Sequence, residues 1–456
     1  MGMTRTRCTI VVALSVAAAP GLRAQETGIT IYGDGTVLVR RTVPQAVPDG
    51  AISTVNVPLG SASADPGSFI VLDTTVALQS VRVLHADDPA TATRRAVGHD
   101  VDFWVTTRDT FFYVRGRLLS ADPFAVRIGG RVLYAAPGPL AFPDSLPQVT
   151  PRAELTLLGL APTPALHVSY FTRGLSWRAL LTVIVPGAGG GAATVDGSAV
   201  LEDRDLRLRN VAVQLASGDI RRAEPPQPSG TRVVNLMSAS AAPIEPADNQ
   251  AVAETRVYSL PNRLDLEPGV TTASPLFARA ATDVERWLVI DPAGDIETQW
   301  TARADSNLHP VVHYFLHRPD GTAFGETPLP QAVVRLLAPD SSGNLELVGE
   351  APVGATPKGR DVELVTGSAS DVVVDRVQTA WERHGDRDVT VAYRVTVHNG
   401  KDEAVTVAVN EAAPGQWDVL TSSVPADRVN ASQFRFLVPV PARSDGALEY
   451  RLRIRW

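Results

Sequence analysis

The chain has 456 residues, 44% of them hydrophobic, with 35 Gly, 35 Pro and a formal net charge of −7. That length accommodates two or more domains with sizeable cores, and the Pro and Gly content excludes a mainly helical protein. An acidic surface repels phosphate backbones, which argues against nucleic acid as a partner.

The N-terminus reads as an export signal. Arg5 and Arg7 precede the apolar run "TIVVALSVAAA", and "GLRA" ends at Ala24 before the polar "QET". Residues 1–24 are therefore expected to be a cleaved secretory signal peptide, with an uncleaved N-terminal anchor as the alternative. The single cysteine, Cys8, precedes the apolar run, so a processed chain holds no cysteine and depends on its cores alone. Processing also removes Arg5, Arg7 and Arg23 and no acid, which moves the formal charge from −7 to −10. No later apolar run is long enough to span a bilayer as a helix.

From residue 26 onward, alternation of period two dominates. "ITIYGDGTVLVRRTV" opens an N-terminal β region expected over 26–165, punctuated by turn-rich segments such as "AAPGPLAFPDSLPQVTP". Long strands begin near 166, and 166–456 is expected to form a C-terminal β-sandwich domain. Between 223 and 254, Pro, Ala and Ser dominate and periodicity is lost. That segment is expected to be a disordered excursion between two strands. The fold class is all-β, multi-domain.

"YFTRGLSWRA" carries Gly174-Leu175-Ser176-Trp177-Arg178, one residue short of the turn that presents a hydrolase nucleophile. That turn needs a second small residue and a following helix. Arg178 stands at the second position and the strand "ALLTVIV" follows, so Ser176 reads as architecture, Gly174 as a turn residue and Trp177 as a core anchor. The acids Glu202, Asp203 and Asp205 in "LEDRDLRLRN" have arginines beside them and read as a solvated, charge-compensated strand or turn.

His309, His313 and His317 recur every four residues in "HPVVHYFLH". On a helix they would form a metal site, but the β-branched and aromatic residues between them predict a strand. Four strand residues span roughly 13 Å, too far for two histidines to share one ion. "PDSSGN" at 339–344 is a turn without the alternating acids of a calcium loop. The chain has no phosphate-cradling glycine loop, no His-Glu-x-x-His and no CxxC, and no catalytic, cofactor-binding or metal-ligating residue is assigned.

Near the C-terminus, "VTVAYRVTV" places Val389, Val391, Tyr393, Val395 and Val397 on one face. A hairpin through Asn399-Gly400 to Val405, Val407 and Val409 needs a loop of three or five residues to keep the valine faces together. The last strand, "LEYRLRIRW", alternates Leu448, Tyr450, Leu452, Ile454 and Trp456 with charged residues. It is compatible with a sandwich or, alternatively, with an outer-membrane β-barrel, although only 6% of the chain is aromatic.

Taken in order, "HVSYFTRGLSWRALLTVIV", "VQLASGDIRR", "VYSLPNRLDLEPG", "AFGETPLPQAVVRLL", "ATPKGRDVELVTGSASDVVV" and "EYRLRIRW" resemble the bacterial domain family of unknown function found in mucoidy-inhibitor-like proteins. "ITIYGDGTVLVRRTV" and "VRGRLLSADPFAVRIGG" resemble upstream parts of such chains, and the long coiled-coil insertion of some relatives is missing. The resemblance implies an extracytoplasmic, β-sandwich-rich protein, periplasmic or otherwise envelope-associated, and brings no catalytic residues. The expected function is binding or scaffolding of an envelope protein or glycan, through sheet edges or through tryptophans such as Trp104, Trp381 and Trp417. A hydrolase acting on envelope polymer is the enzyme alternative.

Overall fold

The computed structural model describes residues 27–61, 63–107, 110–146, 150–186, 192–218, 250–252, 255–291, 296, 298–300, 304–340 and 342–456. Residues 1–24, expected to be a signal peptide, and most of the 223–254 segment lie outside the described residues. Nearly all regular structure is strand, and the only two α-helices among the described residues are Pro89–Arg95 and Ala323–Glu326. The all-β expectation holds. Among the described residues, no helix is long and apolar enough to cross a membrane.

The first core lies between two sheets. One is ordered Gln250–Val252, Thr255–Ser259, Leu208–Ser217, Thr27–Tyr32, Thr36–Val43, Leu166–Arg173 and Ile70–Val71. The other is Ile52–Pro58, Arg152–Gly159 and Val76–Leu84. Alternate residues from both, including Ile29, Ile31, Val55, Val57, Leu155 and Leu157, are fully enclosed between them. The boundary expected near residue 165 runs through this sandwich. Thr27–Tyr32 pairs in parallel with Leu208–Ser217, and Thr36–Val43 pairs with Leu166–Arg173, so the early and later chain share one core. Gln250–Val252, within the segment expected to be disordered, instead forms a strand that pairs with Thr255–Ser259.

A small unit is inserted between Val76–Leu84 and Arg152–Gly159. Its helix Pro89–Arg95 starts with Pro89 in the first turn, and the Asp88 carboxylate accepts the N–H groups of Ala90 and Thr91. Five strands follow, with Asp100–Thr106 and Phe111–Ala121 at the centre, over a core of Ala96, Val101, Phe103, Leu118 and Val126.

Beyond Arg173 the chain builds a rolled sheet and a second sandwich. Thr271–Ile290, 20 residues long, belongs to both. It pairs with Ala192–Asp203 up to Asp283, then with Val311–Leu316 from Val284, and with Val405–Ala412 from Leu288. The rolled sheet encloses Leu181, Val183, Val195, Val334, Leu336 and Leu364. The second sandwich encloses Val391, Val395, Val407, Phe436, Leu448 and Leu452. Its five-stranded layer runs Ala304–Leu308, Val372–Gly385, Asp388–Asn399, Ser444–Arg455 and Gln416–Ser422. Leu448, Tyr450, Leu452 and Ile454 are buried, as the alternation predicts, and every sheet is open-ended rather than closed into a barrel.

The hairpin expected at Asn399-Gly400 does not form. Asp388–Asn399 pairs with Val372–Gly385 and Ser444–Arg455, whereas Val405–Ala412 pairs with Gln433–Val440 in the opposite layer. Asn399 makes the crossing: its side-chain amide donates to the carbonyls of Glu403 and Pro441, and its carbonyl oxygen accepts from Lys401 N–H. The two valine faces then meet across the core, which needs no odd loop.

Candidate binding surface

Alternation in "DFWVTTRDTFFYVRGR" sorts the inserted unit into two faces. Val101 and Phe103 point into its core, so Asp102 and Trp104 point out. Antiparallel pairing sets Arg115 opposite Asp102, Tyr113 opposite Trp104 and Phe111 opposite Thr106 on that same outer face. Trp104, Phe111 and Tyr113 are exposed by 41%, 55% and 54%, an unusual outlay of aromatic surface to leave in water. They pack on one another. The Trp104 and Phe111 rings stack with centroids 4.7 Å apart and planes inclined by 23°, and Tyr113 meets Trp104 edge-on at 5.6 Å. With one indole face covered by Phe111, the rings form a continuous apolar patch rather than separate platforms of the kind a pyranose ring stacks on.

The patch is held from both sides. The Asp102 carboxylate accepts two parallel bonds from Arg115, Nε at 2.9 Å and Nη2 at 3.0 Å. This hydrogen bond lowers the Asp102 pKa and raises that of Arg115. Trp104 N–H donates to Pro139 O, and the chain at Gly138 passes so close that a Cβ there would lie 2.0 Å from Trp104 O. Glycine is required at that crossing. Further along the outer face, Arg117 and Arg127 stand opposite each other in the ladder. Exposed Trp, Tyr and Arg grouped around an apolar centre is the composition of protein-interface hot spots.

The other two tryptophans are structural. Trp417 is only 6% exposed, donates Nε1–H to Ala431 O and carries the Arg428 guanidinium 3.8 Å from its ring centroid. Trp381 donates to Thr298 O and packs on the second sandwich.

The residues singled out near Ser176 are architectural. Ser176 is the second residue of the strand Leu175–Ile184 and faces Glu202 across the ladder. Gly174 has a φ of +107°, and a Cβ there would stand 2.7 Å from Asp205 Cβ. Trp177 packs between the first core and the rolled sheet, as an anchor should. Of the three acids, Glu202 is solvated and charge-compensated as expected, whereas Asp203 is buried. Asp203 is 5% exposed and its Oδ1 accepts the N–H groups of Asp205 and Leu206, while burial raises its pKa. Asp205 accepts hydrogen bonds from the Ser61 and Ser63 hydroxyls, and Glu202 lies 3.6 Å from Arg178.

His313 sits within the strand Val311–Leu316 and the other two histidines flank it. Each has its own partner: His309 meets Val372 O, His313 meets Glu363, and His317 lies between Asp361 at 2.9 Å and Glu285 at 3.5 Å. No group of three His, Cys, Asp or Glu placed to hold a metal occurs among the described residues. The "PDSSGN" turn is closed by the Asp340 carboxylate, which accepts from the N–H groups of Ser342 and Asn344.

His317 is raised above its ordinary 6.5, first by its hydrogen bond to Asp361. His398 is raised similarly, first by its hydrogen bond to Asp445. Folding therefore favours the protonated rings. The stability they add is fully present below about 6.5, the unfolded value, and is lost as pH rises through the raised folded values. Urea midpoints measured from pH 5 to 9 should fall over this window, and the fall should shrink in His317→Asn and His398→Asn variants. An unchanged slope in both variants would rule these two rings out as its source.

No family model matches the chain, and no curated protein matches it.

Proposed function

We propose that the chain is a non-catalytic extracytoplasmic protein that binds or scaffolds another envelope protein through the Trp104–Phe111–Tyr113 face. The observation that carries this reading is the exposed, self-packed aromatic patch on a sheet whose opposite face is already filled by its own core. The signal-like N-terminus and the resemblance to the mucoidy-inhibitor-like domain family support an envelope location. Ring packing favours a protein over a glycan, because the stacked rings offer contiguous area for burial and few free faces for a sugar.

A benzophenone amino acid in place of Tyr113 should crosslink one recurrent envelope protein in cells. Trp104→Ala combined with Phe111→Ser should weaken that capture about thirtyfold or more, the loss of a hot spot worth roughly 2 kcal/mol. Because these side chains point outward, the cost in stability should stay within about 2 kcal/mol, the scale of two cross-strand aromatic pairs, and the variant should remain folded. Equal capture by the variant, or crosslinks spread over bulk protein, would overturn the reading.

A further inference from the structure

Further along the chain, the rolled sheet meets the second sandwich at Thr271–Ile290. A cleft of about 550 Å³ opens beside Thr271–Ile290, with Val284, Arg286 and Leu288 as its floor. Val284 packs on one core and Leu288 belongs to the other. The walls are apolar at Pro186, Pro339 and Val348, and Glu403–Thr406 closes the far side.

The floor is a strand edge. Asp283 is the last residue paired with Ala192–Asp203, and Leu288 is the first paired with Val405–Ala412. Between them lie Val284 to Trp287, four residues that no described strand pairs on that side. Their other side is filled: Asp283 O accepts from His317 N–H, and the register to Val311–Leu316 then runs unbroken. Main-chain groups alternate sides along an antiparallel strand, so those of Glu285 and Trp287 bond to Val311–Leu316. Those of Val284 and Arg286 point to the cleft.

The side chains add a matched dipole. Arg286 Nη1 lies 3.0 Å from Glu403 Oε1, and Tyr314 stands opposite Arg286 in the ladder. A guanidinium and a carboxylate that already offset each other attract neither an anion nor a cation strongly. They do present a donor beside an acceptor, the complement of an amide. From these features we infer that the cleft binds a short, uncharged, extended peptide segment. Its main chain pairs with Val284 and Arg286, an amide lies against Arg286 and Glu403, and one apolar side chain sits among Pro186, Pro339 and Val348. Four residues of strand span about 13 Å, which sets the length of the segment.

Residue-resolved amide exchange on the full chain tests this. In the free protein, Val284 and Arg286 amides should exchange about tenfold or more faster than those of Glu285 and Trp287. Acetyl-Thr-Val-Thr-Val-amide at millimolar concentration should slow both toward their neighbours. The same peptide N-methylated at its valines should not, and Ala404→Trp, which fills the cleft from an exposed position, should abolish the effect. Four equally protected amides in the free protein would mean that the edge is already paired and would overturn the inference. So would equal slowing by the N-methylated peptide, or no slowing at all. None of these outcomes touches the aromatic face.

Discussion

Arg376→Met is expected to weaken the second sandwich by about 3–5 kcal/mol, because it strands a carboxylate in the core. Arg376 Nε lies 2.8 Å from Glu411 Oε1 and Nη2 lies 3.0 Å from Oε2. The Glu411 side chain is fully enclosed, and Tyr450 donates its hydroxyl to it at 2.7 Å. The guanidinium also lies 4.0 Å over the Tyr393 ring. Burial alone would lower the Arg376 pKa, but the charge of Glu411, reinforced by Tyr450, holds it above the ordinary value. Burial and then Glu411 push Tyr450 well up, so the phenol stays a donor. Removing the cation leaves Glu411 with one neutral partner.

Arg376→Met together with Glu411→Leu and Tyr450→Phe should recover most of the loss, since a buried polar network exchanged for apolar groups of similar size is often close to neutral. The chain has several cores, so a single unfolding midpoint would blur the effect. Exchange of the amides in Val372–Gly385 and Ser444–Arg455 during urea unfolding is the appropriate readout. A single-variant cost below about 1 kcal/mol would contradict the argument, since that is the scale of an exposed pair.

Arg318→Met is expected to cost about 3 kcal/mol or more, because it leaves several enclosed carbonyls without donors. Arg318 is 3% exposed. Its Nε and Nη2 both donate to Phe324 O, Nη2 also reaches Thr327 O, and Nη1 donates to Pro357 O and Arg360 O. Its backbone N–H donates to Asp361. One guanidinium thus ties the turn around Ala323–Glu326 to the segment before Val362–Ser368. Burial lowers its pKa, with Asp361 opposing, and no carboxylate accepts from the guanidinium in this network. Arg318→Lys should recover less than half the loss, because an ammonium is a point donor that cannot reach both sides of the cage. Thermal unfolding, with exchange rates at Phe324–Leu329, separates the variants. Full rescue by lysine would show that charge alone matters there.

Alternation made the faces of most strands legible before their neighbours were known. The buried set Val389, Val391, Tyr393, Val395 and Val397 is the one the pattern assigns inward. Alternation says which way a side chain points, not which strand lies beside it. That is why a local hairpin at Asn399 looked natural, and why a boundary near residue 165 passed through a parallel pair joining Thr27–Tyr32 to Leu208–Ser217. Charges misled for a related reason. "EDRD" around Asp203 reads as a solvated turn, yet Asp203 is buried where the distant Gly269 and Val270 bond to its main chain, and its carboxylate accepts the N–H groups of Asp205 and Leu206. At the candidate surface, Trp104 stood among three equal tryptophans. What singled it out was the unread run Phe111-Phe112-Tyr113, in which two aromatics of one face come back beside it after a short turn.

The order in which the chain is made differs from the order in which its cores can close. Thr27–Tyr32 is synthesised first among the described strands, but its parallel neighbour ends at Ser217 and the first core still needs Leu266. Ser444–Arg455 lies between two others in its layer, so that layer of the second sandwich cannot be completed before this strand is made. The inserted unit, with its short-range pairings, can settle before either sandwich. Such long delays before pairing make folding slow and leave strand edges waiting for their partners. The first core can therefore close once Leu266 has emerged, whereas the second sandwich waits for Ser444–Arg455, and in that interval its strands can still be held by a chaperone.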